Sequence, residues 1–246
     1  MFKQFLSVML LFAAVLSASA QDTRCYETRI YYTHPGRLEA LLARFRNHTT
    51  KIFEKHGMTN VGYWIPLHED NKLIYVLSYP DRAARDASWK AFGTDPEWKK
   101  VQSESELDGK IVAKVESIFM KATDFSPKIK SSKSKKERVF ELRTYTTNTG
   151  KLPDLLSRFR DHTLKLFKKH GMTNVGYWVP QDAPASQNTL IYILAHDSRE
   201  AAKKSWDEFR NDPEWKEVQK ASEANGKIVS KVESVYMDAT DYSPMK

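Results

Sequence analysis

A histidine and an arginine four residues apart are the side chains in this sequence best placed to do chemistry. Arg44 and His48 lie in RFRNHT, and Arg158 and His162 recur in RFRDHT. Residues four apart share one side of a helix, so the imidazole could be a general base while the guanidinium orients a ligand carboxylate. The alternative is structural, with a histidine hydrogen-bonded at the rim of the core and an arginine in a surface ion pair. The sequence leaves both interpretations open, so His48 and His162 are catalytic candidates only.

A tyrosine followed by a tryptophan occurs in two strand-like segments, at Tyr63-Trp64 and again at Tyr177-Trp178. Neighbouring side chains on a strand point to opposite faces. One ring of each pair is therefore expected to face helices and the other the far side of the sheet, where aromatic rings could line a pocket for a small apolar or anionic ligand. The predicted ligand-binding residues are Arg44, His48, Tyr63, Trp64, Arg158, His162, Tyr177 and Trp178.

Charged residues alternate on the first and last strand-like segments, with Glu27 and Arg29 on one and Lys114 and Glu116 on the other. Two nearby carboxylates can divide acid and base roles, but opposite charges on adjacent strands also form salt-bridge ladders. His48 and His56 lie about 12 Å apart along a helix and cannot share a metal ion. With no metal-binding or phosphate-loop motif in the sequence, we expect neither a metal site nor a cofactor.

The elements that position these residues occur twice. The string KHGMTNVGYW at Lys55 recurs at Lys169, an offset of 114, and after a short insertion DPEWK at Asp95 recurs at Asp212, an offset of 117. Roughly half of the aligned positions are identical. Each copy is the size of a domain, which indicates a tandem duplication and not a solenoid.

Each copy has the pattern of a strand, a long amphipathic helix, two strands, a helix, a short extra helix and a last strand. The order βαββαβ predicts a ferredoxin-like α+β domain. Such a unit has helices on one face of its sheet only, so the other face needs a cover. We expect the two domains to pair within the chain as an internal, pseudo-dimeric α/β barrel. Glu27, Arg29 and Tyr31 are predicted to face the partner sheet, and Tyr26, Thr28 and Ile30 the helices.

The segments YETRIYY, RFRNHTTKIFEKHGMTNVGYW and DPEW make each half resemble a NIPSNAP domain. The resemblance implies the dimeric α/β barrel superfamily, which includes antibiotic-biosynthesis monooxygenases, but it implies no agreed chemistry. Where many members are similar to a strand reading His-Leu-Trp, this chain has Tyr75-Val76-Leu77 and Tyr192-Ile193-Leu194. The predicted organisation is a signal peptide at 1–20, NIPSNAP domains at 24–126 and 138–245, and a basic flexible linker at 127–137.

Composition and charge limit the location and the partners. The chain has 246 residues, 41% of them hydrophobic, a single cysteine and a net charge of +8, which excludes a disordered chain and an internal disulfide framework. Much of the excess charge lies in the Ser/Lys-rich linker, so no nucleic-acid partner is expected. Residues 1–20 combine Lys3, an apolar run and a small-residue ending, which predicts export to the periplasm or the exterior and no membrane span after cleavage.

Three functions are compatible with these patterns. The first is a secreted or periplasmic barrel that binds a small ligand or a partner. The second is a cofactor-independent enzyme, monooxygenase-like or isomerase-like, which needs His48 and His162 to face pockets with a second polar group within about 3 Å. The third is a structural protein with a filled barrel.

Overall fold

A computed structural model describes residues 21–132 and 137–246. Each repeat contributes four strands and a set of helices. The strands are β1 (Cys25–Thr33), β2 (Thr59–Pro66), β3 (Lys72–Tyr79), β4 (Val112–Ala122), β5 (Val139–Thr147), β6 (Thr173–Pro180), β7 (Thr189–His196) and β8 (Val229–Ala239). The helices are α1 (Leu38–Arg44), α2 (Thr50–Lys55), α3 (Arg82–Thr94), α4 (Pro96–Ser105), α5 (Leu152–Arg158), α6 (Leu164–Lys169), α7 (Arg199–Asn211) and α8 (Pro213–Ser222).

The long helix predicted in each repeat contains a π-helical turn. Phe45–Thr49 joins α1 to α2, and Phe159–Thr163 joins α5 to α6. The hydroxyl of Thr49 donates to the carbonyl oxygen of Arg44, five residues back, at 3.2 Å. This wider turn holds His48 in the first repeat and His162 in the second. Single π turns inside α-helices are frequent at functional sites.

The eight strands form one closed barrel in the order β1-β3-β2-β8-β5-β7-β6-β4. The repeats join at two antiparallel seams: Trp64 of β2 lies opposite Ala239 of β8, and Ala122 of β4 lies opposite Trp178 of β6. Closure gives each strand a neighbour on both sides. The structure confirms the prediction of two ferredoxin-like units combined in an internal α/β barrel.

Apolar side chains from both repeats fill the barrel interior. Trp64 and Trp178 are 0% and 1% exposed there, beside Tyr26 and Phe140. The Trp64 indole lies over Gly62, where an added Cβ would come within 2.2 Å of the ring, so only glycine fits at that position. Each repeat thereby covers the sheet face that the helices of the other repeat do not reach.

The prediction of which face of β1 meets the partner was wrong. Tyr26 and Ile30 point into the barrel, while Glu27 receives hydrogen bonds from Arg85 and Trp89 of α3 and so faces the helices. Alternation shows that two faces exist but not which one is inside. The charged face of β1 lies outside the barrel, toward the helices, because Arg85 of α3 neutralises Glu27 there.

The predicted single network of Glu27, Arg29, Lys114 and Glu116 is also divided between the two faces. Glu116 lies opposite Ile30 in the β1–β4 pairing and is therefore on the barrel side of the sheet. It pairs with Lys114 at 2.5 Å, away from the helix-facing pair of Glu27 and Arg29.

The helices pack on the outer faces of the barrel over two equivalent clusters rich in aromatic residues. Asp81 caps α3 by accepting the Ala84 N–H at 2.7 Å. Asp95 caps α4 by accepting the Glu97 N–H at 2.8 Å, with a proline in the first turn. Aspartate at the N-cap and proline in the first turn are residue types favoured at helix starts.

Two predicted segments fall partly or wholly outside the described residues. The signal peptide at 1–20 is entirely outside them, as are 133–136 of the linker. Within the described part of the linker, Ile129 is buried in the barrel cluster and Ser132 bridges to Met245. The linker is therefore not solvated along its whole length. No helix in 21–132 or 137–246 combines the length and apolar character needed to cross a membrane.

Candidate functional site

The aromatic pairs predicted to line a pocket contribute to packing instead. Trp64 and Trp178 belong to the barrel cluster, and Tyr63 and Tyr177 belong to the clusters under the helices. The prediction that the members of each pair point to opposite faces is confirmed. All four side chains are buried. Tyr63 donates to Asn60 and Tyr177 to Asn174, so each phenol is satisfied within its own repeat.

Arg44 lies at the end of α1, immediately before the π-helical turn, and is only 5% exposed. Its Nη1 donates to Ser105 Oγ at 3.3 Å and pairs with Glu106 at 3.1 Å, and the guanidinium lies 5.3 Å from the Trp98 ring centroid. The buried Nε has no hydrogen-bond partner among the described residues. Arg158 repeats every one of these features with Ser222, Glu223 and Trp215.

His48 and His162 are exposed on the outer side of the same helices. Each lines an open groove between the long helix and the helix that precedes the last strand, with volumes of about 340 Å³ and 500 Å³ respectively. Arg44 and Arg158 form the inner walls of these grooves. Within the described part of the chain, neither imidazole makes a hydrogen bond or an ion pair, so the polar partner that a general base needs is not in place.

On the inner side of Arg44 lies a second and more enclosed space, between the helices and the sheet. This cleft of repeat 1 has a volume of about 310 Å³, and its counterpart in repeat 2 about 260 Å³. Both volumes are near the lower end for small-molecule sites. The cleft of repeat 1 is lined by Tyr31, Arg44, Phe45, Thr49, Phe53, Phe92, Trp98, Gln102, Glu106, Lys110, Val112 and Val115.

All twelve of these residues recur unchanged in the cleft of repeat 2. Burial alone does not explain this identity. Buried barrel positions differ between the repeats, as Tyr26 and Phe140 do, whereas exposed residues at the cleft mouth are the same, as Val115 and Val232 are. The residues around the cleft have therefore stayed constant whether they are buried or exposed, whereas buried residues elsewhere have changed.

The cleft combines an apolar body with a positive mouth. The Phe53 ring contacts Phe45 edge-on and Phe92 at a tilt, with centroids 6.0 Å and 4.9 Å apart. Arg44 and Lys110 contribute two positive charges, of which Glu106 balances one. Aromatic walls with a surplus cation suit a flat apolar molecule that carries one negative charge.

A buried carboxylate lies under α3 in repeat 1 and under α7 in repeat 2. Burial favours the neutral acid, but hydrogen bonds from Arg85 and the charge of Arg29 outweigh it and lower the pKa of Glu27 to about 2. In repeat 2, burial is outweighed by the hydrogen bond from His196 and the charge of Arg143, and the pKa of Glu141 is again about 2. Both groups are therefore carboxylates at neutral pH.

His56 connects two helices. The ring Nε2 lies 2.6 Å from Asp95 Oδ2, so the imidazole joins the end of α2 to the residue that caps α4. His56 lies at the C-terminal end of α2, and its partner is a carboxylate. Hydrogen bonds from Lys55 and His56 hold the pKa of Asp95 well below its usual range. No group of three or more His, Cys, Asp or Glu side chains is arranged to hold a metal ion in 21–132 and 137–246.

The sequence patterns identify Arg44 and Arg158 but not most of the cleft. Phe92, Trp98 and Lys110 line it without belonging to a motif predicted to bind a ligand. The signal that could have found the cleft is the identity of exposed residues between the repeats, at Gln102, Lys110 and Val115.

The fold and these clefts define a class of protein: a dimeric α/β barrel contained in one chain, with one space between helices and sheet in each half. The NIPSNAP family model matches residues 26–127 and 140–244, so the chain belongs to the NIPSNAP family. A relative described as Protein NipSnap homolog, from Dictyostelium discoideum, is 24% identical over 210 residues, which is 84% of this chain and 84% of that one.

Solved structures with the same fold extend beyond this family. A Fusobacterium nucleatum protein provisionally described as a monooxygenase has a TM-score of 0.61 and 9% identity, and the match covers 90% of this chain and 94% of that one. An anthrone oxidase-like protein has a TM-score of 0.59 and 11% identity, with coverage of 93% and 96%. At these identities the likeness shows the fold alone.

Proposed function

We propose that this NIPSNAP protein binds small molecules with a flat apolar body and one negative charge, one in each cleft. The observation that carries the proposal is that all twelve residues lining the cleft of repeat 1 are identical in the cleft of repeat 2, although the repeats differ at many other positions. Exposed residues of a mere scaffold are free to diverge after duplication. Their retention at the cleft mouth is what a shared ligand requires.

Each part of the cleft has a distinct role in this proposal. The aromatic rings of Phe45, Phe92 and Trp98 contact the apolar body of the ligand. Arg44 and Lys110 hold the anionic group, and the unpartnered Nε of Arg44 gains an acceptor. This hydrogen bond would favour binding, because a buried donor that lacks an acceptor costs about 1–3 kcal/mol.

The proposed site of action is outside the cytoplasm. The support for export is the pattern of residues 1–20, in which a basic start, an apolar run and a small-residue ending occur in that order. The enzyme alternative has less support, because the exposed imidazoles of His48 and His162 lie on the outer side of the helices and lack a polar partner among the described residues.

A fluorescence titration with anilinonaphthalene sulfonate tests the binding proposal, since this probe is flat, aromatic and anionic. We expect saturable binding to the folded protein, weakened at least tenfold in a variant carrying Lys110→Met and Lys227→Met. Both lysines are exposed, so these substitutions leave folding intact. Near-UV circular dichroism checks that the protein is native, because partly unfolded states also bind this dye.

The matched control is Arg46→Met together with Arg160→Met. These arginines do not line the clefts, and their side chains are 41% and 39% exposed. We expect them to leave dye affinity within twofold of the unmodified chain. Equal affinity in the lysine variant and in this control would overturn the proposal, as would the absence of saturable binding.

A further inference from the structure

The barrel closes along only part of β8. The strand β2 pairs with it at three positions, namely Met237, Asp238 and Ala239, whereas β8 begins at Val229. The other edge of β8 pairs with β5 from 229 to 238. The segment 229–235 therefore has no second neighbouring strand among the described residues, and we call it the open edge of β8.

The direction of the backbone shows which groups are unpaired along this open edge. The carbonyl oxygen of Tyr236 accepts from the N–H of Leu67 at 2.9 Å, so the backbone groups of Tyr236 point to the β2 side. Backbone groups of alternate residues on a strand point to the same side. Those of Val232 and Ser234 therefore point out of the open edge. Both residues are exposed, and Val232 is 46% exposed.

The side chains of the open edge have a self-complementary charge pattern. Lys231 and Glu233 lie on one face of the strand, 2.8 Å apart, while Val232 between them lines the cleft on the other face. When two copies of this edge pair antiparallel about Val232, Lys231 of each copy lies directly opposite Glu233 of the other. Opposite charges in that position stabilise a pair of strands, and like charges destabilise it. Shifting the register by two residues would place Lys231 opposite Lys231, or Glu233 opposite Glu233.

The same pattern selects the partner. A lysine on an exposed strand edge is a common device against pairing between chains. Lys231, whose side chain is 63% exposed, therefore disfavours any strand that lacks an acidic residue in register with it. A second copy of β8 supplies that residue, because Glu233 lies two positions further along.

The corresponding edge in repeat 1 is less available. The strand β4 repeats the pattern with Lys114 and Glu116, and it pairs with β6 at three positions only. However, Glu116 accepts from the hydroxyl of Tyr32 at 3.0 Å, and the Lys114 ammonium lies 5.1 Å from the Tyr32 ring centroid. Repeat 2 has Thr146 at the position of Tyr32, which leaves Glu233 without this contact. The charges of repeat 1 are thus engaged within their own chain, and repeat 2 has the freer edge.

We propose that the open edge of β8 binds a second copy of this chain, so that the protein forms a twofold-symmetric dimer. The two β8 strands run antiparallel about Val232 and join the sheets of the two barrels. The backbone groups of Val232 and Ser234 gain partners, and Lys231 and Glu233 exchange one ion pair within the chain for two between chains. Each copy uses one edge, so the assembly closes at two chains. The pairing requires no ligand in the clefts and is independent of the proposed binding there.

Sedimentation velocity over a range of protein concentrations tests this inference. We expect the unmodified chain to sediment as a dimer at tens of micromolar and as a monomer on dilution. Val232→Pro removes an N–H that only the dimer uses, and proline is tolerated on a strand whose N–H side faces solvent. We expect this variant to dimerise at least tenfold more weakly. The matched control, Val115→Pro, makes the same change in β4 and should leave the dimer unchanged.

Charge reversal tests the register without a change to the backbone. Lys231→Glu places like charges opposite each other and should weaken the dimer at least tenfold, as should Glu233→Lys. The double variant restores the complement and should dimerise as the unmodified chain does, and a mixture of the two single variants should form heterodimers. The control Lys114→Glu changes the net charge equally in repeat 1 and should have no effect.

Four results would overturn the inference. The unmodified chain could remain a monomer at tens of micromolar, Val232→Pro and Val115→Pro could act alike, or the double charge variant could dimerise no better than the single ones. Assemblies that grow beyond two chains would also overturn it, since both edges would then be in use. Far-UV circular dichroism checks that each variant is folded, and the charge variants keep the test decisive if a proline variant is not.

Discussion

The two repeats share one site and differ at another. The aromatic clefts beside Arg44 and Arg158 share twelve lining residues, whereas the buried carboxylates Glu27 and Glu141 have different partners. Both regions descend from the same duplication and both lie between helices and sheet. The comparison shows that the fold tolerates change in this layer, so the identity of the clefts calls for a cause other than packing.

The largest expected effect is the difference in free energy of unfolding between substitutions of the two buried carboxylates. Glu27→Gln removes the anion shared by Arg29 and Arg85 and leaves Arg85 with Asp86 only, while Glu141→Gln removes the anion of a single arginine, Arg143. Breaking a buried ion pair from one side costs about 3–5 kcal/mol. We therefore expect Glu27→Gln to lower the free energy of unfolding by that amount and Glu141→Gln by distinctly less, as measured by urea denaturation. A loss for Glu141→Gln equal to or above that for Glu27→Gln would break the comparison.

The carboxylates also make stability depend on pH. The pKa values of Glu27 and Glu141 are lowered in the folded state to about 2, so both groups stabilise the fold fully above about pH 5 and lose this contribution as the pH falls towards 2. The shift is worth on the order of 3 kcal/mol per site. We expect the urea midpoint to fall steadily between pH 5 and pH 3, with a shallower fall in Glu27→Gln. An unchanged slope in that variant would count against the assignment.

The smallest effect on stability is expected for the ion pairs that join the two repeats near the seams. Arg46 pairs with Asp241 of the other repeat, and Arg160 pairs with Asp124, at 2.6 Å and 2.7 Å. All four groups are exposed, and such pairs contribute about 0–1 kcal/mol. Arg46→Met and Arg160→Met should each cost less than 1 kcal/mol, equally, and less at high salt. Unequal losses would reveal an asymmetry of the seams.

The sequence predicted the architecture because the evidence for it is local and repeated. The strings shared at Lys55 and Lys169 reveal the duplication, and turn and capping residues such as Asp81 and Asp95 mark the elements between them. The requirement to cover a bare sheet face then leaves few arrangements. Closure of the barrel follows from these facts without any tertiary information.

The face of β1 and the cleft could not be obtained in the same way. The alternation at Tyr26 and Glu27 shows that β1 has two different faces but not which of them meets the helices. Charged residues are expected to avoid a face covered by helices, but Glu27 is buried there because α3 supplies Arg85 as a hydrogen-bond donor. The cleft is built from residues of several helices and strands, from Tyr31 to Val115, that approach one another only in the folded chain.

The most direct test of the shared site is a count of bound ligands. Native mass spectrometry of the chain with anilinonaphthalene sulfonate should show two dye molecules on the unmodified protein, one on Arg44→Met, one on Arg158→Met and none on the double variant. Two retained in the double variant, or a single dye that neither substitution removes, would contradict the account of two equivalent clefts.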